Sequence, residues 1–149
     1  MEQERFTRFK KNIDGIHKSL QKLRIDLGSA EGVKGVHVFW LHDMLSHPEG
    51  QSAAEIAVNN DIDKSLVSRE ITELSKEGYI YSSENGGKRG YNKKYHLNEK
   101  GVAAAKKLGE AALALQIKAS CGVSPEHLAI FYDSLEKIHA ALAALAEEK

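Results

Sequence analysis

A short polar strip in the middle of the chain has the spacing of one helix face. Side chains at positions i, i+3, i+4 and i+7 lie on the same side of an α-helix. The strip consists of Ser65, Ser68, Arg69 and Thr72. An arginine can bond the O6 and N7 atoms of guanine, and hydroxyl groups can reach phosphates or base edges. Lys64, at the first turn, suits a phosphate because the amino end of a helix is positively polarised. The strip is either a face that enters the major groove of DNA or a solvated helix face.

Two short predicted helices position this strip, and the first of them begins at Ser52. Ser52 and Glu55 have the spacing of a capping box, in which each side chain accepts a hydrogen bond from the other residue's amide. The apolar side of this helix is formed by Ala53, Ile56, Ala57 and Val58. The turn-forming run at 59–61 ends the helix early, because Asn and Asp side chains compete for its backbone bonds.

The second helix is predicted to begin after an N-cap at Asp63 and to stop at Gly78. Its buried side consists of Val67, Ile71 and Leu74. Two helices joined by so tight a turn cross steeply, which leaves the polar strip of the second helix facing outward.

A basic hairpin is predicted directly after these helices. Residues 79–81 form a short aromatic and β-branched run, residues 92–97 around Tyr95 are predicted as the second strand, and the segment between them contains several glycines. Lys88 and Arg89 lie near its tip, where we expect them to contact phosphates or a minor groove. The alternative is an exposed hairpin whose charges protect its edges from pairing with other chains.

Long helices with heptad spacing are predicted at both ends of the chain. Residues 1–28 carry apolar side chains at alternating intervals of three and four, with Gly28 as the C-cap. After a helix over 99–121, residues 125–145 repeat the same intervals. These stripes can close as a helical hairpin within one subunit, but two of them on so short a chain favour a two-fold dimer.

A further buried helix is predicted over residues 33–46. Its Trp40 is interpreted as a core side chain. The alternative is a ligand pocket between the dimer helices and the central helices, lined by His17, His37 and Trp40.

Composition limits the remaining chemistry. The chain has 149 residues, with 21 basic and 21 acidic side chains, so its formal net charge is zero. A net charge of zero argues against indiscriminate polyanion binding but allows a local basic patch. The lone Cys121 excludes an intrachain disulfide framework and is interpreted as a small apolar filler rather than a redox sensor. Histidine spacings indicate no metal site, and the pair Glu136 and His139 is interpreted as surface neighbours. We therefore predict no metal and no cofactor.

The sequence also indicates where the protein acts and what it does not do. No apolar run approaches the ~20 residues that span a bilayer, and the charged start of the chain lacks a secretion signal, so a cytoplasmic protein without a membrane partner is expected. We find no nucleophile beside a base, no glycine-rich phosphate loop and no paired carboxylates in a cleft. An enzyme is therefore not predicted.

Three motifs carry a resemblance to a known family. They are Ile62-Asp-Lys-Ser-Leu-Val-Ser-Arg69, Lys76-Glu-Gly-Tyr-Ile80 and Leu97-Asn-Glu-Lys-Gly101. Together with the order of the elements, these motifs resemble the MarR family of prokaryotic transcription regulators over essentially the whole chain.

The resemblance implies a mainly α fold with a small β-hairpin wing, in a single unit over 1–149. It implies a winged helix-turn-helix DNA-binding lobe at 33–98 and a helical dimerisation region at 1–28 and 99–149. It further implies a homodimer on pseudo-palindromic double-stranded DNA that is often released by a small-molecule ligand or an oxidant. Two alternatives remain open: a winged-helix module that binds protein, and a redox- or metal-responsive regulator.

Overall fold

The fold is mainly helical, with one antiparallel hairpin, as predicted. The computed structural model describes residues 1–84 and 93–148. Its elements are α1 (Glu2–Glu31), α2 (His37–Leu45), α3 (Ala53–Asn59), α4 (Lys64–Lys76), β1 (Ile80–Glu84), β2 (Lys93–Leu97), α5 (Glu99–Ser120) and α6 (Pro125–Glu147). Among the described residues, no helix is both long and apolar enough to cross a membrane.

Helix α1 is longer than predicted and ends at a different glycine. Gly32, with a left-handed φ of 68°, is its C-cap. The predicted cap at Gly28 was wrong, because Gly28 lies inside the helix and is buried. The chain leaving α1 turns back onto this position, where the Val33 amide bonds the Gly28 carbonyl at 2.7 Å. A Cβ atom at Gly28 would collide with the Val33 carbonyl oxygen.

Helix α2 begins at His37, so the predicted helix over 33–46 started too early. The preceding segment is a turn that crosses α1 closely at Gly35, where an added Cβ would lie 3.2 Å from the Ile25 Cα. A helix starting at residue 33 would move this glycine away from its close approach to α1. The α2 helix itself is well buried, and Leu41 is 0% exposed.

Helix α3 has the predicted capping box. The Glu55 amide donates to Ser52 Oγ at 3.2 Å, and the Ser52 amide donates to Glu55 Oε2 at 2.7 Å. The bond from the Ser52 amide lowers the pKa of the Glu55 carboxyl below its usual range. Ile56 and Ala57 are buried, but Val58 is 79% exposed, so its assignment to the apolar side was wrong. At 3.6 residues per turn, Val58 lies about 200° around the helix from Ile56 and so faces away from the core.

The turn into α4 depends on a left-handed residue. Asp61 has a φ of 51°, a conformation that Asp tolerates better than most residues. The Ile62 amide then bonds the Ala57 carbonyl at 3.0 Å and closes the turn. Asp63 occupies the N-cap position of α4 as predicted, with an extended backbone, but its side chain makes no capping hydrogen bond. Gly78 follows the end of α4 with a φ of 78°, as the sequence predicted.

The hairpin runs antiparallel from the pair Ile80–Leu97 to the pair Glu84–Lys93. The loop before α3 adds to this sheet, because Gln51 and Tyr95 exchange two backbone hydrogen bonds of 3.1 and 2.8 Å. The hairpin is thereby connected to the helix pair by backbone bonds as well as by side chains.

The chain forms two compact units, Met1–Ala112 and Leu113–Lys149. The core of the first unit includes Leu41, Ile56, Val67, Leu74 and Leu108, each at most 1% exposed. These residues come from α2, α3, α4 and the first half of α5, so four helices enclose one core.

The second unit contains the end of α5 and all of α6. Ser124 caps α6 by accepting a hydrogen bond from the His127 amide, which confirms the predicted start of this helix. The Gln116 amide group donates to the Tyr132 hydroxyl at 2.9 Å. Among its described residues α6 buries none, and Leu142 and Leu145 are 50% and 58% exposed. The predicted lobe and dimerisation boundaries remain predictions.

Candidate nucleic-acid interface

Helix α4 is sharply divided into a buried and an exposed side. Val67, Ile71 and Leu74 are at most 4% exposed and attach the helix to the core. The exposed side carries all five predicted contact residues of this helix, namely Lys64, Ser65, Ser68, Arg69 and Thr72. Burial of three large apolar side chains fixes the rotation of the helix about its axis. The polar strip is therefore presented to solvent as one continuous surface.

Two hydroxyl groups of the strip already donate within the helix. Ser68 Oγ donates to the Lys64 carbonyl at 3.2 Å, and Thr72 Oγ1 donates to the Ser68 carbonyl at 3.0 Å. Each oxygen still has lone pairs that can accept from the amino groups of adenine or cytosine. A phosphate oxygen only accepts, so contact with the backbone would require the hydroxyl to rotate. As they stand, these two side chains are better prepared for base edges than for phosphates.

Arg69 is held at its base and exposed at its end. Its side chain is 74% exposed, and Nε donates to Glu70 Oε1 at 3.3 Å. The bond uses Nε, while the two terminal nitrogens carry the donors that can approach the O6 and N7 of a guanine together. The bond to Glu70 limits the directions that the guanidinium can take. Arg69 thus has an exposed side chain whose Nε is bonded to the buried Glu70.

The hairpin supplies basic groups next to α3. Lys94 Nζ lies 4.0 Å from Glu55 Oε2, and Lys93 Nζ lies 5.8 Å from the centre of the Tyr95 ring. Residues 88 and 89, the predicted contacts Lys88 and Arg89, lie outside the described residues. The contact predicted for the wing tip stays a prediction.

His96, the remaining basic residue of β2, is integrated into the sheet. Its ring stacks on Tyr81 at 5.1 Å between centroids, and its Nε2 lies 2.7 Å from Ser83 Oγ. The ring also covers Gly50, where an added Cβ would lie 2.5 Å from His96 Cε1. His96 therefore supports the hairpin.

A buried charged cluster lies on the inner side of α4, directly behind Arg69. Glu70 is 1% exposed, and its Oε2 accepts from Lys34 Nζ at 2.9 Å and lies 2.8 Å from His37 Nε2. Lys34 Nζ also donates to Glu73 Oε2 at 2.8 Å. These bonds connect α4 to the turn before α2 and to the first residue of α2.

The cluster favours the ionised form of its central carboxyl. Burial by itself raises the pKa of Glu70, but hydrogen bonds and charges from Lys34 and His37 outweigh it and lower the pKa to about 2. Hydrogen bonds to Glu70 and Glu73 raise the pKa of the Lys34 ammonium above its usual value. The carboxylate and the ammonium are both charged at neutral pH, and each stabilises the other.

The sequence analysis did not find this cluster, although one signal was present. Glu70 lies at helical spacing from Val67, Ile71 and Leu74, within the apolar stripe of α4. A glutamate in such a stripe is almost never buried without a partner, so its position indicated a buried ion pair. Its partners could not be identified, because they lie more than thirty residues earlier in the chain.

The three residues predicted to line a ligand pocket are not brought together in one environment. His37 and Trp40 are buried in the core, with ring centroids 6.0 Å apart. His17 is exposed on α1, and its Nε2 lies 2.9 Å from the Gln21 side-chain nitrogen. The core role expected for Trp40 is confirmed, and the ligand pocket stays a prediction.

The fold and the exposed α4 surface define a winged helix-turn-helix protein, and the chain has the fold of MarR family transcription regulators. No protein-family model matches the sequence, and no curated protein sequence matches it either. The similarity is therefore detected by comparison of structures and not by these comparisons of sequences.

Three solved structures illustrate this similarity. A MarR family transcription regulator has a TM-score of 0.84 and 19% sequence identity, and the match covers 99% of this chain and 97% of that one. A putative MarR family regulator from Listeria monocytogenes, complexed with 26mer DNA, has a TM-score of 0.81 and 19% identity over 90% of this chain and 88% of that one. The Staphylococcus aureus MarR in complex with salicylate and kanamycin has a TM-score of 0.81 and 16% identity, over 93% and 92% of the two chains.

Proposed function

We propose that this protein is a sequence-specific DNA-binding transcription regulator that acts in the cytoplasm as a homodimer on a pseudo-palindromic operator. The observation that carries the proposal is the α4 strip, in which Arg69 is exposed and oriented by a buried carboxylate. The fold supports it, since a neighbour of the same fold was solved with 26mer DNA. Specificity would come from the strip and most of the affinity from phosphates.

The dimer is supported by apolar side chains that a monomer leaves in water. Phe6 and Leu20 on α1 are 60% and 50% exposed, and Leu142 and Leu145 on α6 are exposed to a similar degree. Exposed apolar stripes on helices often mark protein contact sites. Two recognition helices related by two-fold symmetry and ~34 Å apart would reach successive major grooves of an inverted repeat. Light scattering at micromolar concentration should therefore give twice the chain mass of 16.4 kDa.

Control by a small molecule is part of the proposal. A neighbour of the same fold was solved with salicylate and kanamycin. A ligand that binds the non-DNA-binding arrangement of the two lobes more tightly would release the operator, since only differential affinity shifts such an equilibrium. Whether the regulator represses or activates depends on where its operator lies relative to the promoter.

The test is fluorescence anisotropy with duplexes from the region upstream of the protein's own coding sequence. Arg69→Ala should weaken binding to the operator by about 1–3 kcal/mol, roughly 5- to 150-fold, and should leave binding to unrelated duplex nearly unchanged. Arg69→Lys keeps the charge but loses the forked donor, so its operator affinity should lie between those of the wild type and Arg69→Ala. Arg8→Ala, an exposed arginine on α1, is the matched control and should bind like the wild type.

The salt dependence of DNA affinity distinguishes contacts with bases from contacts with phosphates. Loss of a base contact should leave the slope of log affinity against log salt unchanged, whereas loss of a phosphate contact lowers it by about one. Lys64→Ala is expected to change the slope. A folded dimer that binds no duplex at low salt, or an Arg69→Ala variant with undiminished operator preference, would overturn the proposed function in favour of a protein-binding lobe.

A further inference from the structure

The Lys34 ammonium bridges two carboxylates, and one of them also contacts a histidine nitrogen. Lys34 Nζ lies 2.9 Å from Glu70 Oε2 and 2.8 Å from Glu73 Oε2. His37 Nε2 approaches the same Glu70 oxygen at 2.8 Å. One ligand atom from each of His37, Glu70 and Glu73 can be chosen so that all three lie within 4.8 Å of one another. The two carboxylates therefore already bind a cation beside a histidine nitrogen.

These donors suit a divalent transition metal. One imidazole nitrogen and two carboxylate oxygens form a three-ligand set of the kind that zinc binds, with the fourth position left for water. Zinc bonds of 2.0–2.2 Å in tetrahedral geometry place the ligand atoms about 3.4 Å apart. The present separations can reach that value by side-chain rotation. Mg²⁺ and Ca²⁺ prefer all-oxygen sites, so the imidazole selects against them.

The charges of the cluster allow one cation to replace another. Glu70 and Glu73 bring two negative charges, which Lys34 and the Arg69 guanidinium on Glu70 Oε1 balance. A divalent ion in place of the ammonium would bridge the same two carboxylates with a higher charge. Lys34 is 45% exposed along its side chain, so its ammonium can swing into water without opening the core.

His37 directs one ring nitrogen into the cluster. The residue is 0% exposed, and its ring lies 6.0 Å from the Trp40 ring between centroids. Nε2 lies 2.8 Å from Glu70 Oε2, whereas Nδ1 has no hydrogen-bond partner among the described residues. A metal bond at Nε2 would be far stronger than the single hydrogen bond it replaces.

The Glu70 carboxylate oxygen that does not contact Lys34 accepts a hydrogen bond, as is usual for carboxylates that bind metals. This oxygen, Oε1, accepts from Arg69 Nε at 3.3 Å, and such hydrogen bonds orient carboxylates that bind metals. The bond also connects the cluster to the DNA-facing strip, because Arg69 is the exposed residue that we expect to read a base.

We propose that His37, Glu70 and Glu73 form a regulatory site for a divalent transition metal, zinc or an ion of its class, which displaces the Lys34 ammonium. The bound ion holds α4 to the start of α2. It also fixes the Glu70 carboxylate, whose Oε1 accepts from Arg69 Nε, and so holds the guanidinium in the orientation proposed for reading a base. Metal therefore strengthens operator binding; this coupling, but not the metal site itself, rests on the proposed function.

The first experiment measures zinc binding without DNA, by competition of the full-length protein with a chromogenic zinc indicator. Glu73→Gln removes one ligand at a half-exposed position and should weaken zinc binding more than about tenfold, because even changes beyond the ligands cost 10- to 100-fold. Glu77→Gln, an exposed glutamate at the end of the same helix, is the matched control and should bind zinc like the wild type.

Lys34→Met separates a metal site from a structural ion pair. If the ammonium competes with the ion for one position, its removal should tighten zinc binding several-fold. If the cluster is only structural, the same variant should leave zinc affinity unchanged, and that result would overturn the proposal. Circular dichroism establishes that each variant is folded before the titration is interpreted.

Cobalt substitution identifies the ligand type. Co²⁺ in this site should give the intense visible bands of tetrahedral coordination without the near-ultraviolet band of a thiolate bond. A thiolate band would place the ion on the exposed Cys121 and would overturn the assignment. Equal Co²⁺ spectra for the wild type and Glu73→Gln would overturn it as well.

The coupling is tested last and separately from the proposed function. Duplex binding is first measured in EDTA, where its presence or absence decides the proposed function alone. Zinc is then added, and the wild type should gain at least about fivefold in operator affinity, the lower end of usual allosteric coupling, while Glu73→Gln should gain nothing. Zinc binding at His37, Glu70 and Glu73 without any change in operator affinity would overturn the coupling.

Discussion

Glu70→Gln is expected to destabilise the protein strongly at neutral pH and much less in acid. Glu70 is buried and ionised, and it accepts hydrogen bonds from Lys34 and Arg69 and lies 2.8 Å from His37 Nε2. Glutamine keeps the size of the side chain but removes the negative charge. The variant therefore represents the neutral state that the wild type reaches only when Glu70 is protonated.

The structure gives the size of the stability that ionised Glu70 contributes and the pH range over which this stability is lost. The pKa of Glu70 lies at about 2 in the folded protein against an ordinary value of 4.5. Because folding lowers this pKa, the ionised carboxylate contributes stability that is complete above pH 4.5 and is lost as the pH falls through about 2. At about 1.36 kcal/mol for each pH unit between the two values, the contribution is about 3 kcal/mol at pH 7 and about 1 kcal/mol at pH 3.

Urea unfolding at one fixed protein concentration, followed by circular dichroism between pH 7 and pH 3, measures this difference. The other carboxyl groups titrate in both proteins, so the difference in free energy of unfolding between wild type and variant isolates Glu70. Glu77→Gln, an exposed site at the end of α4, should stay within about 0.5 kcal/mol of the wild type. A Glu70→Gln variant as stable as the wild type at pH 7, or a deficit that does not shrink in acid, would refute the reasoning.

Two further predictions concern the backbone. Gly28→Ala should lower the free energy of unfolding by about 2 kcal/mol, because the added Cβ meets the Val33 carbonyl. Gly15→Ala is the matched control, since it lies in the same helix and nothing lies within 4 Å of the added Cβ. It should raise the free energy of unfolding by about 0.5–1 kcal/mol. Urea unfolding distinguishes the two, and equal effects would contradict the close contact at Gly28. Ser52→Ala removes the acceptor of the Glu55 amide and should cost about 1 kcal/mol in the same assay; no loss would mean that the capping box contributes nothing.

Features that depend on neighbouring residues were predicted correctly from the sequence. The capping box of Ser52 and Glu55 joins residues three apart, and the polar strip of α4 follows from the fixed period of a helix. The hairpin was also predictable, since its two runs of strand-forming residues are close in the chain. The resemblance of the whole order of elements added the fold, which the structure confirms.

Features that depend on tertiary contacts were missed or misplaced. Gly28 has the sequence appearance of a helix C-cap, but the helix continues because the chain returns over that glycine and Gly32 ends it instead. The cluster around Glu70 joins residues 33 to 39 positions apart. No local pattern specifies which lysine or histidine will meet a buried glutamate, because the crossing of α2 and α4 determines it.

Under the proposed function, the adjacency of Arg69 and Glu70 has a consequence for how the DNA preference of this protein can evolve. Ser65 and Thr72 point away from the core, so mutations there can change the preferred operator with little loss of stability. Arg69 shares a hydrogen bond with a carboxylate that also contacts Lys34 and His37 and so joins α4 to the start of α2. A substitution at position 69 therefore alters the preferred operator and the electrostatic balance of the lobe together. Drift toward new operators should begin at the hydroxyl positions, and a change at Arg69 should require a compensating change around Glu70.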